Sequence, residues 1–473
     1  MNIPVISQAF VALCCFPLCG LADYSFDTTS YDPHDVITTD VAVVGGGSAG
    51  VYTAVRLQDH NKSIVIIEKN DYIGGNAETY IDPQSNIPIN LGVVVFPKTQ
   101  IAENYFARFD VPLVPLSNLS PGGAYIDFST GDSVDYDPPT EVDVAAALHG
   151  YNVQLQKYPA LQAGFNLTYP VANDLLLPFG KFLDKYNLSA LIPTVFIFNQ
   201  GYSPILNIST IYLLKHFNAN VLNSIATGFL TPASHNTGEF YDNILAHLRS
   251  SVLLNTTVQA MDRSSSLNVK IVVRTNNNAH KLIIARKLLS TPPPKVDQLT
   301  GYDLSAHETE LFSKFVANGY YVGVVSNTGL PPNKRYTSID PRNPPYDIPK
   351  LPGIYAIAPT GAPDLVEVFY GSPIPLSVGD VQRDILAKVK RLAISQAINN
   401  TSAEPNFVAF TVHTPFNLMV SNEAIANGFY ERLYALNGQR NTFYNGAAWQ
   451  TQDSNEIWEY TESYVLPILL ASL

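Results

Sequence analysis

The stretch Thr39–Leu57, TDVAVVGGGSAGVYTAVRL, decides the fold of this 473-residue chain. It begins with a β-rich run, continues with a glycine-rich turn, and from Val51 onward has the apolar spacing of a helix. A second β-rich run, Ser63–Ile67, ends in Glu68, which follows Gly50 at close to the roughly 20 residues of the dinucleotide fingerprint. The order strand, glycine turn, helix, strand and acid predicts a dinucleotide-binding βαβ unit.

The glycines of this unit have separate physical roles. Gly45 permits a tight turn, Gly47 lets backbone N–H groups approach the pyrophosphate, and Gly50 lets the helix pack closely on the strand. Ser48 and Ala49 open the helix, whose N-terminus carries a partial positive charge that favours phosphate groups. All five residues are therefore predicted to bind the cofactor.

The acid and the residues after it indicate which dinucleotide is bound. Glu68 can accept hydrogen bonds from the ribose hydroxyls and would repel a 2′-phosphate, which disfavours NADP. Gly74 and Gly75 form a second glycine pair just after the acid, where flavoproteins bring another loop onto the diphosphate. NAD domains usually lack this pair, so the sequence predicts FAD.

From this start the chain resembles the flavin-containing amine-oxidase-like superfamily over most of its length. Four further stretches carry the resemblance, namely Asn90–Phe96, Val252–Met261, Lys281–Pro293 and Thr442–Trp449. The resemblance implies that Val258 contacts the adenine side through its backbone, and that Gly446 and Ala447 let the closing motif approach the flavin. It also implies a helix that begins near Asp453 and Ser454 and directs its N–H groups at the ring, although Asp453 is equally suited to a simple N-cap.

Within that superfamily the sequence is most similar to the fungal β-cyclopiazonate dehydrogenase family, through His413–Phe416, Gly428–Tyr430 and Gly446–Trp449. Members of that family resemble secreted FAD oxidoreductases of specialised-metabolite pathways. Amine oxidases themselves carry a lysine near the flavin N5 atom. The strand Val316–Tyr321, where that lysine is expected, has none, and Asn318 is the predicted occupant. The resemblance therefore does not imply an amine substrate.

The resemblance implies a fold of the α/β class, with a Rossmann-like FAD-binding domain assembled from three segments and an inserted α+β substrate domain. The FAD-binding domain is predicted at 36–98, 233–302 and 436–473. The substrate domain is predicted at 99–232 and 303–435. Proline-rich stretches between these segments are interpreted as loops.

Candidate catalytic and substrate residues follow from the chemistry of the flavin, which accepts a hydride at N5. A proton usually leaves with the hydride, and His413 is the candidate base because of its family-like context. A structural histidine is the alternative. Tyr320, Tyr321, Phe416 and Trp449 are candidate walls for an apolar substrate, although aromatic residues at such spacing are also common in plain cores.

Composition excludes several classes of protein. Charged residues make up 14% of the chain, and the formal net charge is −12 without any basic cluster, so nucleic acid is not an expected partner. The three cysteines, Cys14, Cys15 and Cys19, lie in the first 22 residues. Disulfides, zinc–thiolate sites and cysteinyl-flavin links are therefore not expected in the remainder, and no metal site is predicted.

Residues 1–22 carry no charged side chain and are mostly apolar, which predicts a cleaved secretory signal peptide. An uncleaved anchor is the alternative, but no stable membrane insertion is expected after cleavage. A secreted protein would expose its Asn-x-Ser/Thr triplets to glycosylation. They begin at Asn61, Asn118, Asn166, Asn187, Asn207, Asn255, Asn399 and Asn400.

Three functions remain open at this point. The first is a dehydrogenase or oxidase that acts on a lipophilic metabolite such as an indole alkaloid or a terpenoid. The second is a flavin-dependent isomerase or oxidative cyclase, which removes a hydride and returns or redirects it. The third is a non-catalytic binding protein on a flavoprotein fold. The substrate, the electron acceptor and the oligomeric state do not follow from the sequence.

Overall fold

A computed structural model describes residues 24–116, 123–331, 333–396 and 404–473. The predicted signal peptide and the triplets at Asn118, Asn399 and Asn400 lie outside these residues. The described chain forms two large sheets with helices around them, which confirms the predicted α/β class.

Strands and helices are numbered in chain order over the described residues. The strands are β1 Val36–Val44, β2 Ile64–Ile67, β3 Thr79–Ile81, β4 Pro88–Asn90, β5 Leu113–Pro115, β6 Gly123–Asp127, β7 Asp132–Ser133, β8 Leu230–Pro232, β9 Val252–Leu253, β10 Thr257–Asp262, β11 Val269–Arg274, β12 His280–Ser290, β13 Val316–Ser326, β14 Arg335–Ser338, β15 Gly353–Pro359, β16 Leu365–Ser372, β17 Asn406–Val412, β18 Phe416–Met419 and β19 Thr442–Tyr444. The helices are α1 Ser48–Asp59, α2 Gln100–Arg108, α3 Glu141–Leu155, α4 Asn173–Leu176, α5 Phe179–Lys185, α6 Ile192–Phe198, α7 Thr210–His216, α8 Ala219–Thr227, α9 Thr237–Leu248, α10 Ala306–Phe312, α11 Val378–Ser395, α12 Asn422–Ala426, α13 Phe429–Tyr434, α14 Ser454–Tyr460 and α15 Leu466–Ala471. A π-helical turn, Thr461–Val465, joins α14 to α15 into one helical segment.

The first sheet has the strand order β10-β11-β12-β1-β2-β9, and β19 pairs with the end of β12. Its strands come from the three segments predicted to form the FAD-binding domain. The neighbours β2, β1, β12 and β19 run parallel to one another. Their last residues, Ile67, Val44, Ser290 and Tyr444, are cross-strand partners in a single row. The four strands therefore end together at one edge of the sheet.

Helix α1 packs against β1 at a distance that only glycine allows. A Cβ atom on Gly50 would lie 2.1 Å from the carbonyl oxygen of Gly45 and 3.1 Å from Cγ1 of Val43. Gly45 has a φ of +99°, and a Cβ atom there would lie 2.3 Å from Oγ1 of Thr291. The turn and the helix crossing both require the missing side chains.

The second sheet has the order β17-β13-β16-β15-β14-β6-β7, with β18 beside β13, and its pairings are antiparallel except for β14–β6. Alternate residues of β13 face opposite sides of this sheet. Tyr321 and Val325 pack on one face with apolar residues of α11, including Ile385. Val322 and Val324 pack on the other face, toward the hairpin of β3 and β4. The second sheet thus separates the α11 layer from the first sheet and its helices.

Helices α3–α8 lie within 99–232, the first of the two segments predicted to form the inserted domain, here called the first insertion, and they extend the main apolar core. Buried residues from α1, such as Val51, share this core with Tyr151 of α3 and Leu213 of α7. Over the described residues, no helix is both long and apolar enough to cross a lipid bilayer.

Arg263 ties the end of β10 to the second insertion and to β19. Its guanidinium is fully buried and forms salt bridges of 2.7 Å to both Asp303 and Glu308. The Tyr444 hydroxyl donates a hydrogen bond to Glu308. Burial by itself raises the pKa of Glu308, but the hydrogen bond and charge of Arg263 outweigh burial and lower the pKa to about 2. Because Tyr444 ends β19, this cluster fixes one of the four aligned strands.

We expect Glu308→Gln to lower the free energy of unfolding by about 3 kcal/mol at neutral pH, since it removes one partner of a buried ion pair. This value is at the lower end of the about 3–5 kcal/mol that breaking a buried ion pair costs, because Asp303 still pairs with Arg263. Urea unfolding measures it, and Glu404→Gln, in the exposed pair with Lys390, is the control with little expected change.

The sign of the pH dependence gives a second check on this prediction. Because the pKa of Glu308 is lower in the folded state, its ionised carboxylate stabilises the fold above the unfolded pKa of about 4.3. This stabilisation is lost as the pH falls toward 2. The difference between wild type and Glu308→Gln should therefore shrink over that range. A difference that stays constant from pH 7 to pH 3 would contradict the assignment.

Candidate active site

The residues that follow the aligned strand ends line one cavity. Glu68, Gly45, Thr291 and Asn445 come directly after the row of last residues described above. All four line a cavity of about 880 Å³. Ligands of parallel α/β sheets bind outside the carboxyl ends of the strands, so the position of this cavity follows from the strand register.

Glu68 is fixed at one end of the cavity by two backbone groups. Its Oε2 accepts a hydrogen bond of 2.6 Å from the N–H of Gly46, and its Oε1 accepts one of 2.9 Å from the N–H of Asn70. Its backbone carbonyl accepts from the N–H of Thr256, which brings the start of β10 beside it. Val258 of β10 lines the same end of the cavity. The acid is therefore oriented before any ligand binds.

The two glycine turns meet edge to edge. The N–H of Gly74 donates to the carbonyl of Gly46 at 2.7 Å, and Gly47 forms a bridge with Gly74. A Cβ atom on Gly47 would have only the Cα of Gly75 nearby, at 3.9 Å, so a side chain there would extend into the space that the two turns border. The cradle between the turns is formed by backbone alone.

Two helices begin at this cradle. α1 starts at Ser48 and α14 starts at Ser454. The Asp453 carboxylate accepts hydrogen bonds from the backbone N–H groups of Asn455, at 2.8 Å, and Glu456, at 3.3 Å. Asp453 is thus the N-cap of α14, and burial raises its pKa. Both helix N-termini favour negative charge at the cavity.

This donor set fits FAD. An oriented acid stands at one end of the cavity, a backbone cradle and two helix N-termini stand beside it, and the closing turn Asn445–Trp449 lines the cavity further along. Asn445 braces that turn, because its Nδ2 donates to Oγ1 of Thr461 at 2.7 Å and its Oδ1 accepts from the N–H of Gly446. The Trp449 ring is stacked on Tyr444 at 5.1 Å.

The structure places most of the predicted cofactor residues at this cavity. Those that line it are Gly45, Gly47, Ser48, Ala49, Glu68, Gly74, Gly75, Val258, Gly446 and Ala447. Gly50 lies behind them, where it allows α1 to approach the turn.

His413, Tyr320 and Phe416 also line the cavity. The Nε2 atom of His413 lies 2.7 Å from the carbonyl oxygen of Leu91, so Nε2 carries the proton and donates it there. That is the ring's one hydrogen bond within the described chain, and Nδ1 keeps its lone pair. Burial lowers the pKa of His413 by more than the Leu91 hydrogen bond raises it. The imidazole is therefore neutral, and its centroid is 5.6 Å from that of Tyr320.

The helices of the first insertion supply residues that sequence reasoning missed. His216, at the end of α7, lines the cavity together with Phe198, Phe217, Val221 and Phe229. These residues belong to no motif, and the one sequence signal was a histidine among apolar residues. The Nδ1 atom of His216 lies 3.3 Å from the Thr451 hydroxyl, and burial lowers the pKa of His216 to about 4.

Charge is distributed unevenly around the cavity. Histidines apart, the acidic and basic residues among the described lining residues are Glu68, Lys69 and Asp453. All three belong to the segments that form the first sheet and its glycine turns. The lining residues from the two insertions, which we call the insertion wall, include no lysine, arginine, aspartate or glutamate in the part of the chain described.

Two expectations for β13 are corrected. Tyr321 does not line the cavity: it is fully buried on the α11 face of the sheet, and its hydroxyl donates to the carbonyl of Leu376 at 3.0 Å. Asn318 does not lie at the cavity either. Its side chain is buried and bonded to the backbone of Ser203 and Pro373, so it holds loops of the insertions together. Tyr320 precedes Tyr321 in β13 and faces the opposite side of the sheet. It is the described β13 residue that lines the cavity.

Comparison with known proteins agrees with this geometry. The sequence model of the NAD(P)-binding Rossmann-like domain matches residues 43–110. The FAD-dependent oxidoreductase oblC of Cochliobolus heterostrophus is 41% identical over 451 residues, which cover 93% of this chain and 92% of that protein. The beta-cyclopiazonate dehydrogenase of Aspergillus flavus is 31% identical over 431 residues, which cover 90% of this chain and 92% of that protein.

Solved structures share the fold at lower identity. The CLA-producing fatty acid isomerase from P. acnes superposes with a TM-score of 0.71 at 20% identity, over 91% of this chain and 98% of that chain. Putrescine oxidase bound to putrescine superposes with a TM-score of 0.61 at 13% identity, over 92% of this chain and 100% of that chain. The identity and coverage of the curated relatives establish the family: the chain belongs to the FAD-dependent oxidoreductases that include beta-cyclopiazonate dehydrogenase.

Proposed function

We propose that this enzyme removes a hydride from a lipophilic, uncharged small molecule in fungal specialised-metabolite biosynthesis. The observation that carries the proposal is the insertion wall, whose described residues are aromatic, aliphatic or neutral polar. A buried ammonium or carboxylate on the substrate would have no opposite charge there, and burying an unpaired charge is costly. Relatives that match most of the chain are named FAD-dependent oxidoreductase or beta-cyclopiazonate dehydrogenase.

When bound, FAD supplies the hydride acceptor. The protein's contribution is to hold the donor carbon in place and to exclude water. Phe416, Phe198 and Trp449 give apolar surface for this, and Tyr320 is kept in one orientation by donating its hydroxyl proton to Gln200 at 2.9 Å. The backbone of β13 also fixes His413, because the backbone N–H of His413 donates to the backbone carbonyl of Tyr320 at 2.9 Å.

We assign His413 as the proton acceptor. With Nε2–H bonded to Leu91, the acceptor is Nδ1, which is available because the ring is neutral. His216 is less suited to this role, since its Nδ1 is already hydrogen-bonded to the Thr451 hydroxyl. His413 and His216 thus line the same cavity, but only His413 is assigned as the proton acceptor.

We also propose that the chain enters the secretory pathway and is glycosylated. Support comes from the uncharged apolar residues 1–22 and from the exposure of the described triplets. The asparagines Asn61, Asn166, Asn187, Asn207 and Asn255 are all exposed. A glycosidase that shifts the electrophoretic mobility of the secreted protein would support this part of the proposal.

The substrate proposal predicts a preference by charge. A neutral indole or terpenoid should perturb the bound-flavin spectrum with at least about tenfold tighter affinity than the same skeleton bearing a primary amine. Anaerobic mixing with the neutral compound should then bleach the flavin absorbance, and oxygen should restore it. Tighter binding of the amine would contradict the proposal. A rearranged product without net bleaching would favour the isomerase or cyclase.

His413→Gln should keep its flavin spectrum and melting temperature but slow anaerobic flavin reduction by about 10²–10⁴-fold, the usual cost of removing a general base. Stopped-flow absorbance measures the rate. The matched control is His216→Gln, which changes a second cavity histidine and should slow reduction far less. Equal effects of the two substitutions, or wild-type rates in His413→Gln, would rule out the assignment.

A further inference from the structure

The hydroxyl groups of two serines meet where α1 and α14 begin. Ser48 Oγ and Ser454 Oγ lie 3.0 Å apart, and both residues line the cavity beside the glycine cradle. The contact joins residues that are far apart in the sequence. It therefore depends on the packing of the closing segment against the dinucleotide-binding unit.

Trp458 donates a second hydrogen bond to this pair of serines. Its indole Nε1–H lies 3.0 Å from Ser48 Oγ and can only donate. Ser48 Oγ therefore accepts from Trp458, and in the structure its own hydroxyl donates to Ser454 Oγ. Ser454 accepts at this contact, so its own proton remains to be donated elsewhere.

Trp458 has little freedom to change this arrangement. Its side chain is fully buried, and its ring is stacked near Tyr52 at 5.6 Å and near Phe96 at 6.2 Å. A flipped ring would bury the N–H without an acceptor, which is costly. Packing thus holds the Trp458 N–H on Ser48 Oγ, where it occupies one of the two acceptor sites of that hydroxyl.

We propose that Ser454 donates its hydroxyl proton to an anionic diphosphate oxygen of FAD, and that Trp458 is the positioning residue that makes this donor available. Over the described residues, Ser454 Oγ accepts from Ser48 and borders the cavity, so its own proton can be directed toward a ligand there. The proposal concerns cofactor binding and does not depend on the identity of the substrate.

The phenol of Tyr241 is an alternative acceptor for the hydroxyl proton of Ser454. Burial raises the pKa of Tyr241 to about 12, and the hydroxyls of Ser48 and Ser454 offset part of that rise. If Ser454 gave its proton to Tyr241, Tyr241 would become the donor to the ligand. Substitutions at the two positions separate these cases.

The test is the equilibrium dissociation constant of FAD, measured by ultrafiltration of the purified holoprotein over a dilution series. Ser454→Ala should raise the constant by about tenfold or more, the effect of losing a hydrogen bond to a charged group. Ser454→Thr keeps a hydroxyl and should restore most of the affinity. Ser463→Ala, in the same helical segment, removes an exposed hydroxyl and should change nothing.

Trp458→Phe keeps an aromatic ring and removes only the N–H, so it should raise the constant by a smaller factor. In the Ser454→Ala background it should add no further loss, because the donor it positions is gone. Full additivity would show that Trp458 acts by packing alone. Wild-type affinity in Ser454→Ala, or a loss confined to Tyr241→Phe, would overturn the proposal.

Discussion

The parallel register of four strands is the constraint on which the site depends. Because Ile67, Val44, Ser290 and Tyr444 are aligned as cross-strand partners, the residue after each of them emerges at the same edge of the sheet. Those residues come from three separate segments of the chain. The Arg263 cluster holds the last of the four strands in this register through Tyr444. A slip of one strand would move its turn out of the cavity.

The second sheet and the helical insertion complete the other wall and give it a different chemistry. Charge is kept at the dinucleotide end, where Glu68 and Asp453 are held by backbone N–H groups. The insertion wall offers aromatic surface and two neutral histidines. This separation lets an anionic cofactor and an uncharged substrate share one cavity, and it leaves proton transfer to a side chain that is neutral before the reaction.

Local chemistry made the cofactor half predictable from the sequence. Within one βαβ unit, Gly45 is required by its positive φ, Gly50 by its close approach to Gly45, and Glu68 accepts a hydrogen bond from Gly46, so their spacing alone indicates the fold. The substrate half depends on long-range packing. Tyr320 and Tyr321 are adjacent and both aromatic, and only the pairing of β13 decides which one faces the cavity. His216 lies on a helix without a motif, and its place follows from how α7 packs.

The most direct test of the account is the absorption spectrum of the supernatant after acid precipitation of the purified protein, compared with that of Gly47→Glu. The wild type should release close to one FAD per chain, as expected for noncovalent binding. The folded variant should release none, because its carboxylate extends into the cradle between the glycine turns. Flavin that stays with the wild-type precipitate would contradict noncovalent binding, and full FAD content in Gly47→Glu would contradict the placement of the cofactor at the shared strand edge.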